Sequence, residues 1–78
     1  MVERIRGIVA EFANIRIEKI DDDSRFIGDM GIDSFQLLVL IDDIENLLEI
    51  EINEQVLWQL QTFGDVRRYI EKNYASNN

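Results

Sequence analysis

Residues 33–49 restrict the conformation of this chain more than any other stretch. Asp33 is a strong helix N-cap, and Gln36 three positions later completes a capping-box pattern. Set out at 100° per residue, 34–49 place Leu37, Leu40, Ile41, Ile44, Leu47 and Leu48 on one broad face. A stripe that wide needs partners to cover it, and the rest of the chain offers them at helical spacing. Val2, Ile5, Ile8, Val9 and Phe12 predict a first helix ending near Asn14. Phe63, Val66, Tyr69 and Ile70 predict the buried stripe of a last helix, capped by Thr62 with Asp65 at its third position. Between them, Ile50 and Ile52 alternate with Glu51 in an extended connector. Asn53 then caps a short helix over 54–60 that turns Val56, Leu57 and Leu60 inward. The expected fold is all-α, a small four-helix bundle of three main helices plus one short helix.

At 78 residues the chain fits one domain, expected over 1–75, with a disordered Asn/Ser tail at 76–78. A chain of this size buries about 60% of the surface its unfolded form exposes, so no enclosed active-site cavity is expected. The stretch 15–33 reads as a loop, rich in polar residues and containing Gly28 and Gly31. It is longer than the roughly 2–8 residues usual between bundled helices, which hints at function. Ile17, Ile20, Phe26, Ile27, Met30 and Ile32 are expected to pin it to the core.

Composition removes whole classes of chemistry. Without Cys there is no disulfide, thiolate nucleophile or Cys zinc site; without His there is no imidazole base or imidazole metal ligand. The formal net charge is −8, and residues 18–54 alone hold twelve acids against two bases, Lys19 and Arg25. That acidity argues against nucleic acid and against an anionic membrane surface. It suits either a solvated helix face or a docking surface for basic partners, where charge raises the association rate and sets orientation. No signal-peptide core and no spanning apolar run is present, so a cytoplasmic, monomeric domain is expected. Asp21 and Asp23 could begin a calcium loop, but Arg25 and Phe26 stand where an oxygen ligand and a glycine are needed, so no metal site is expected.

Gly31-Ile32-Asp33-Ser34-Phe35 puts a hydroxyl at the first turn of a helix, just past a glycine-containing loop. Free backbone N–H groups and the positive helix end favour an anion there, so a phosphate ester on Ser34 would sit in a favourable field. The chain supplies no base to activate Ser34, so any reaction at it depends on another protein. Asp-Ser by itself is equally a good helix start. On the far side of the same helix, Phe35 and Val39, with Leu38 at the edge, lie among Asp42, Asp43 and other polar residues. Apolar residues on an acidic face suggest a partner site.

These residues resemble the acyl carrier protein family, whose pattern is Gly-x-Asp-Ser-Leu at the start of the second of four helices. Here it reads Gly31-Ile32-Asp33-Ser34-Phe35, approached by Phe26-Ile27-Gly28-Asp29-Met30. Glu51-Ile52 resembles the family's Glu-Ile before the short helix, and Thr62-Phe63-Gly64-Asp65-Val66 with Tyr69-Ile70 resembles its last-helix start. The resemblance implies that Ser34 carries 4′-phosphopantetheine from coenzyme A, placed there by a phosphopantetheinyl transferase, with acyl cargo on the distal thiol. It implies a carrier rather than an enzyme, serving acyl synthases, ligases or transferases with basic docking patches. Docking would fall to Asp33, Phe35, Leu38, Val39, Asp42, Asp43 and Glu45. Leu40, Ile44, Leu48, Ile52, Leu57 and Leu60 would line an interior acyl shelter, or simply form the core.

The chain departs from the family at Phe35 for Leu, Gln36 for an acid, Val39 for Glu and Asp42 for Met. These departures point to a specialised biosynthetic pathway rather than housekeeping fatty-acid synthesis. An aminoacyl, peptidyl or D-alanyl carrier also fits, and so does a helical adaptor that never takes a cofactor.

Overall fold

Local signals and core demands agree along most of the chain. The computed structural model describes residues 1–73, so the expected domain end at 75 and the tail at 76–78 lie outside the described residues. The described residues form α1 (Val2–Ala13), α2 (Ser34–Leu48), α3 (Glu54–Leu57) and α4 (Phe63–Asn73). A single 3₁₀ turn, Ile17–Lys19, interrupts the long loop between α1 and α2. α1 packs against both α2 and α4. α1 ends on Asn14 in the left-handed conformation, and Ile15 N–H reaches back to Ala10 C=O. α2 ends in the same way one residue short of the expected 49, on Glu49, with Ile50 N–H on Glu45 C=O. Both are Schellman-type stops that satisfy terminal carbonyls.

The core runs through all three long helices. Ile5 and Val9 of α1, Leu40, Ile41 and Ile44 of α2, and Phe63, Val66 and Ile70 of α4 are buried. The stripes are narrower than their periodicity predicts. Ile8, Phe12, Leu47 and Tyr69 are only half-buried at the stripe edges, because so small a bundle has little second layer to cover them.

The short helix differs from expectation. α3 stops at Leu57, and residues 58–60 continue as a tighter turn, with Gln59 N–H on Val56 C=O and Leu60 N–H on Leu57 C=O. The tighter winding brings Leu60 into the core, leaves Val56 and Leu57 half-buried, and turns Trp58 outward.

The long loop is stitched to the start of α4. Phe26 N–H donates to Gln61 C=O and Phe63 N–H to Ser24 C=O, forming an isolated antiparallel bridge between Arg25 and Thr62. Gly64 N–H donates to Asp22 C=O at 3.0 Å, and a Cβ at Gly64 would lie 2.6 Å from that oxygen. Ile20, Phe26, Met30 and Ile32 are buried as the sequence predicts. Ile17 and Ile27 are not: Ile17 opens the 3₁₀ turn and Ile27 follows the paired Phe26, and both face solvent. Thr62 Oγ1 accepts from Asp65 N–H while Asp65 Oδ2 accepts from Thr62 and Gln61 N–H, the expected cap. Arg67 grips Asp22 with two parallel hydrogen bonds, Nε to Oδ1 at 2.9 Å and Nη2 to Oδ2 at 2.7 Å.

Two predictions follow from this stitching. Gly64→Ala destabilises the fold by about 1–3 kcal/mol, because Asp22 must move off α4. Gly7→Ala, in an open helical position, stabilises it by up to about 1 kcal/mol; urea denaturation of both variants checks the contrast. The second prediction concerns acid. The Arg67 hydrogen bonds hold the Asp22 carboxyl below its usual 3.8. A depressed carboxyl stabilises the fold above its unfolded value and loses that contribution as pH falls through the folded value. Arg67→Gln therefore lowers the urea midpoint at pH 7, and the gap from wild type closes as pH drops below 3.8.

Candidate functional site

The approach to Ser34 is fixed on both sides. Met30 and Ile32 are buried, and Ile32 N–H bonds Phe26 C=O at 3.2 Å. Gly31 between them takes a φ of 71°, a left-handed turn that a side chain would strain. That turn aims the chain into α2. Asp33 Oδ1 then accepts from Gln36 N–H at 2.8 Å, and Gln36 Oε1 accepts from Asp33 N–H at 3.0 Å. Gln36, which stands where an acid is usual in the family, keeps the capping box closed through its amide oxygen.

Ser34 opens α2 and is exposed. Its hydroxyl makes no hydrogen bond among the described residues. As the first and second residues of a helix, Ser34 and Phe35 have N–H groups with no intrahelical acceptor. The hydroxyl thus stands in solvent beside the positive end of a helix, which suits a covalently attached phosphate.

Along α2 away from the core, Phe35 is 73% exposed, and Leu38 and Val39 are 39% exposed each. Asp42 and Asp43 follow on the same outer side, both exposed and without ion pairs among the described residues. Glu45 also has an internal role. It is half-buried and its Oε2 accepts Ile52 N–H at 2.6 Å, so it ties the connector after α2 to the helix.

The residues named for an interior shelter or the core divide between the packed core and the surface. Leu40, Ile44, Leu48 and Ile52 are packed in the core; the first three line none of the concavities found, and Ile52 borders a shallow surface one beside Asp42 and Glu45. An open groove of about 360 Å³ lies between the long loop, α2 and α3. Of the six expected residues only Leu57 and Leu60 border it; Arg25, Ile27, Gly28, Leu37, Trp58 and Gln61 complete its walls. Sequence reading missed these six because periodicity marks Leu37 as core and does not place Trp58 or an outward Ile27. Asp29 accepts the Arg25 backbone N–H at 2.9 Å and lies 3.6 Å from Arg25 Nε. These contacts, the backbone bond foremost, hold the Asp29 carboxyl below its usual value.

Residues 3–70 match the family model for the phosphopantetheine attachment site. The chain belongs to this family of phosphopantetheine carriers. It is 36% identical over 69 residues to an acyl carrier protein of Wolinella succinogenes, covering 88% of this chain and 91% of that one. Its fold matches the crystal structure of a free-standing peptidyl carrier protein from an uncharacterized secondary metabolic pathway of Acinetobacter baumannii. That match has a TM-score of 0.73 and 30% identity, over 91% of this chain and 88% of the other. The carrier is therefore a non-catalytic member of the family, its prosthetic group is 4′-phosphopantetheine, and its partners include a phosphopantetheinyl transferase. No helix among the described residues is long and apolar enough to cross a membrane.

The cap makes its own prediction. Asp33→Ala costs about 1 kcal/mol of stability, measured by urea unfolding, with Ser34 still exposed.

Proposed function

We propose that Ser34 is the anchor for 4′-phosphopantetheine, and that the chain presents acyl groups to partner enzymes in a specialised biosynthetic pathway. The observation that carries this reading is the exposed Ser34 hydroxyl, free of hydrogen bonds among the described residues and seated at the N-terminus of a capped helix. In loading, the Ser34 oxygen forms a phosphodiester bond as the pyrophosphate bond of coenzyme A breaks. Adenosine 3′,5′-bisphosphate leaves, and the serine proton passes to a base on the transferase, since this chain offers none nearby. Once attached, the group supplies the thiol that the chain lacks, and cargo is held there as a thioester.

Asp33 holds the helix start in place, while Phe35, Leu38 and Val39 form an apolar ridge beside the anchor. Asp42 and Asp43 add negative charge farther along, which steers basic partners without holding them long. Glu45 fixes the connector through Ile52 N–H and adds a further charge to the docking face. An aminoacyl or peptidyl cargo is the second reading. It is favoured by the likeness to a peptidyl carrier and by Phe35 and Val39, where the family more often has Leu and Glu. We take the carrier to act as a cytoplasmic monomer.

The test is intact-mass analysis after incubation with coenzyme A and a phosphopantetheinyl transferase. Wild type gains one phosphopantetheinyl unit, and Ser34→Ala gains none. An unchanged wild-type mass, with a control carrier fully modified, would sink the anchor assignment and leave a cofactor-free adaptor. Mass analysis of the chain loaded by its native ligase separates acyl from aminoacyl cargo.

A further inference from the structure

We infer that Glu45 links docking on α2 to the packing of α3: an arginine side chain of a partner enzyme that pairs with Glu45 draws it off the Ile52 N–H, and the connector and the short helix behind it loosen. This rests on the acidic side of α2 being a docking face, and it adds a conformational consequence of docking to that reading.

The connector depends on one residue. Both hydrogen bonds that tie residues 50–53 to α2 end on Glu45: Ile50 N–H donates to its C=O at 3.1 Å, and Ile52 N–H donates to its Oε2 at 2.6 Å. The first closes the end of α2 and belongs to the helix stop. The second ends on a side chain, so it is broken by turning that side chain, without unwinding the helix.

Beyond the connector lies the least anchored element of the fold. α3 is one turn long and contains no buried residue. Its cap, Asn53 Oδ1 on Gln55 N–H, lies within its own first turn and travels with it. Ile52 before it and Leu60 after it are the buried residues that seat it. An element with so few buried contacts opens readily. Trp58, half exposed at its C-cap, moves with it.

Glu45 is placed to be captured. With Asp42, Asn46, Ile50, Glu51 and Ile52 it borders an open surface concavity of about 350 Å³. Asp42, Glu45 and Glu51 have no ion pair among the described residues, and the last turn of α2 carries no basic residue. These acids therefore add to the negative end of the helix dipole, with no cation to balance them. A guanidinium meets a carboxylate edge-on through two parallel hydrogen bonds. Because Oε2 is turned onto the Ile52 N–H, Glu45 offers both oxygens outward only by rotating off the connector. Two charge-assisted bonds then replace one, and the freed N–H takes water as the connector lifts. By linkage, whatever frees Glu45 from Ile52 strengthens docking by the same factor.

The probe is a hexa-arginine peptide added to the isotope-labelled chain. The peptide holds no Trp, so the single Trp of the chain reports on α3. Binding is read from the amide NMR signals of Asp42 and Asp43. At saturation the Ile52 amide is expected to exchange about tenfold faster, the equivalent of one ordinary hydrogen bond lost. Trp58 emission shifts, while the amides of α1 and α4 keep their protection. Glu45→Gln keeps an oxygen for the Ile52 N–H and removes the charge. In that variant the peptide still binds through the other acids, and Ile52 and Trp58 do not respond. Glu45→Ala shows the loosened connector before any peptide is added. The inference is overturned if Ile52 stays protected with the peptide bound, if protection falls throughout α1 and α4 as well, if Glu45→Gln responds as wild type does, or if Glu45→Ala leaves Ile52 and Trp58 unchanged. A peptide that does not bind at all removes the docking reading together with this one, whereas a bound peptide over a silent Ile52 removes this inference alone.

Discussion

The backbone pairing between the long loop and the start of α4 holds the rest of the structure in register. Three N–H···O=C bonds, Phe26 to Gln61, Phe63 to Ser24 and Gly64 to Asp22, fix a loop that would otherwise be costly to order. Close approach at Gly64 makes the last of them possible. Arg67 clamps Asp22 from α4, and Arg6 of α1 donates to Ile20 C=O while its guanidinium stacks 4.7 Å from the Phe63 ring. With the loop seated, Ile20, Phe26, Met30 and Ile32 fill the core between the helices. The left-handed turn at Gly31 then has a fixed base from which to deliver the anchor serine. The position of Ser34 thus depends on contacts with residues some thirty positions downstream.

α2 does two jobs on opposite sides. Its inner stripe completes the core, and its outer side offers Phe35, Leu38 and Val39 near the serine with Asp42 and Asp43 farther along. Separating the apolar from the acidic part lets charge guide an approaching enzyme while apolar contact forms beside the anchor. Glu45 sits at the border between the two sides. Its carboxylate satisfies the Ile52 N–H, so a charge that sequence position assigns to docking is used internally. The same economy appears at Gln36, whose amide oxygen closes the capping box on the Asp33 N–H.

The groove is a product of the short helix ending early. Because residues 58–60 wind tightly, Leu60 reaches the core and Trp58 stands out beside Ile27 and the Arg25 guanidinium. These residues come from three separate stretches, and none of them stands out in the linear sequence.

What the chain alone determined is whatever depends on neighbours within about four residues. Helical stripes, the Asp33–Gln36 and Thr62–Asp65 caps, and a hydroxyl at the start of α2 are all local, since hydrogen bonds and side-chain spacing along a helix repeat over that distance. What only the tertiary structure decided is where distant segments meet. The pairing of Arg25 with Thr62 turned Ile27 outward, the packing of Leu40, Ile44, Leu48 and Ile52 filled the interior, and the seating of Leu60 left a groove beside Trp58. Those outcomes depend on how side chains from different elements share one small core, a competition for space that no local pattern encodes.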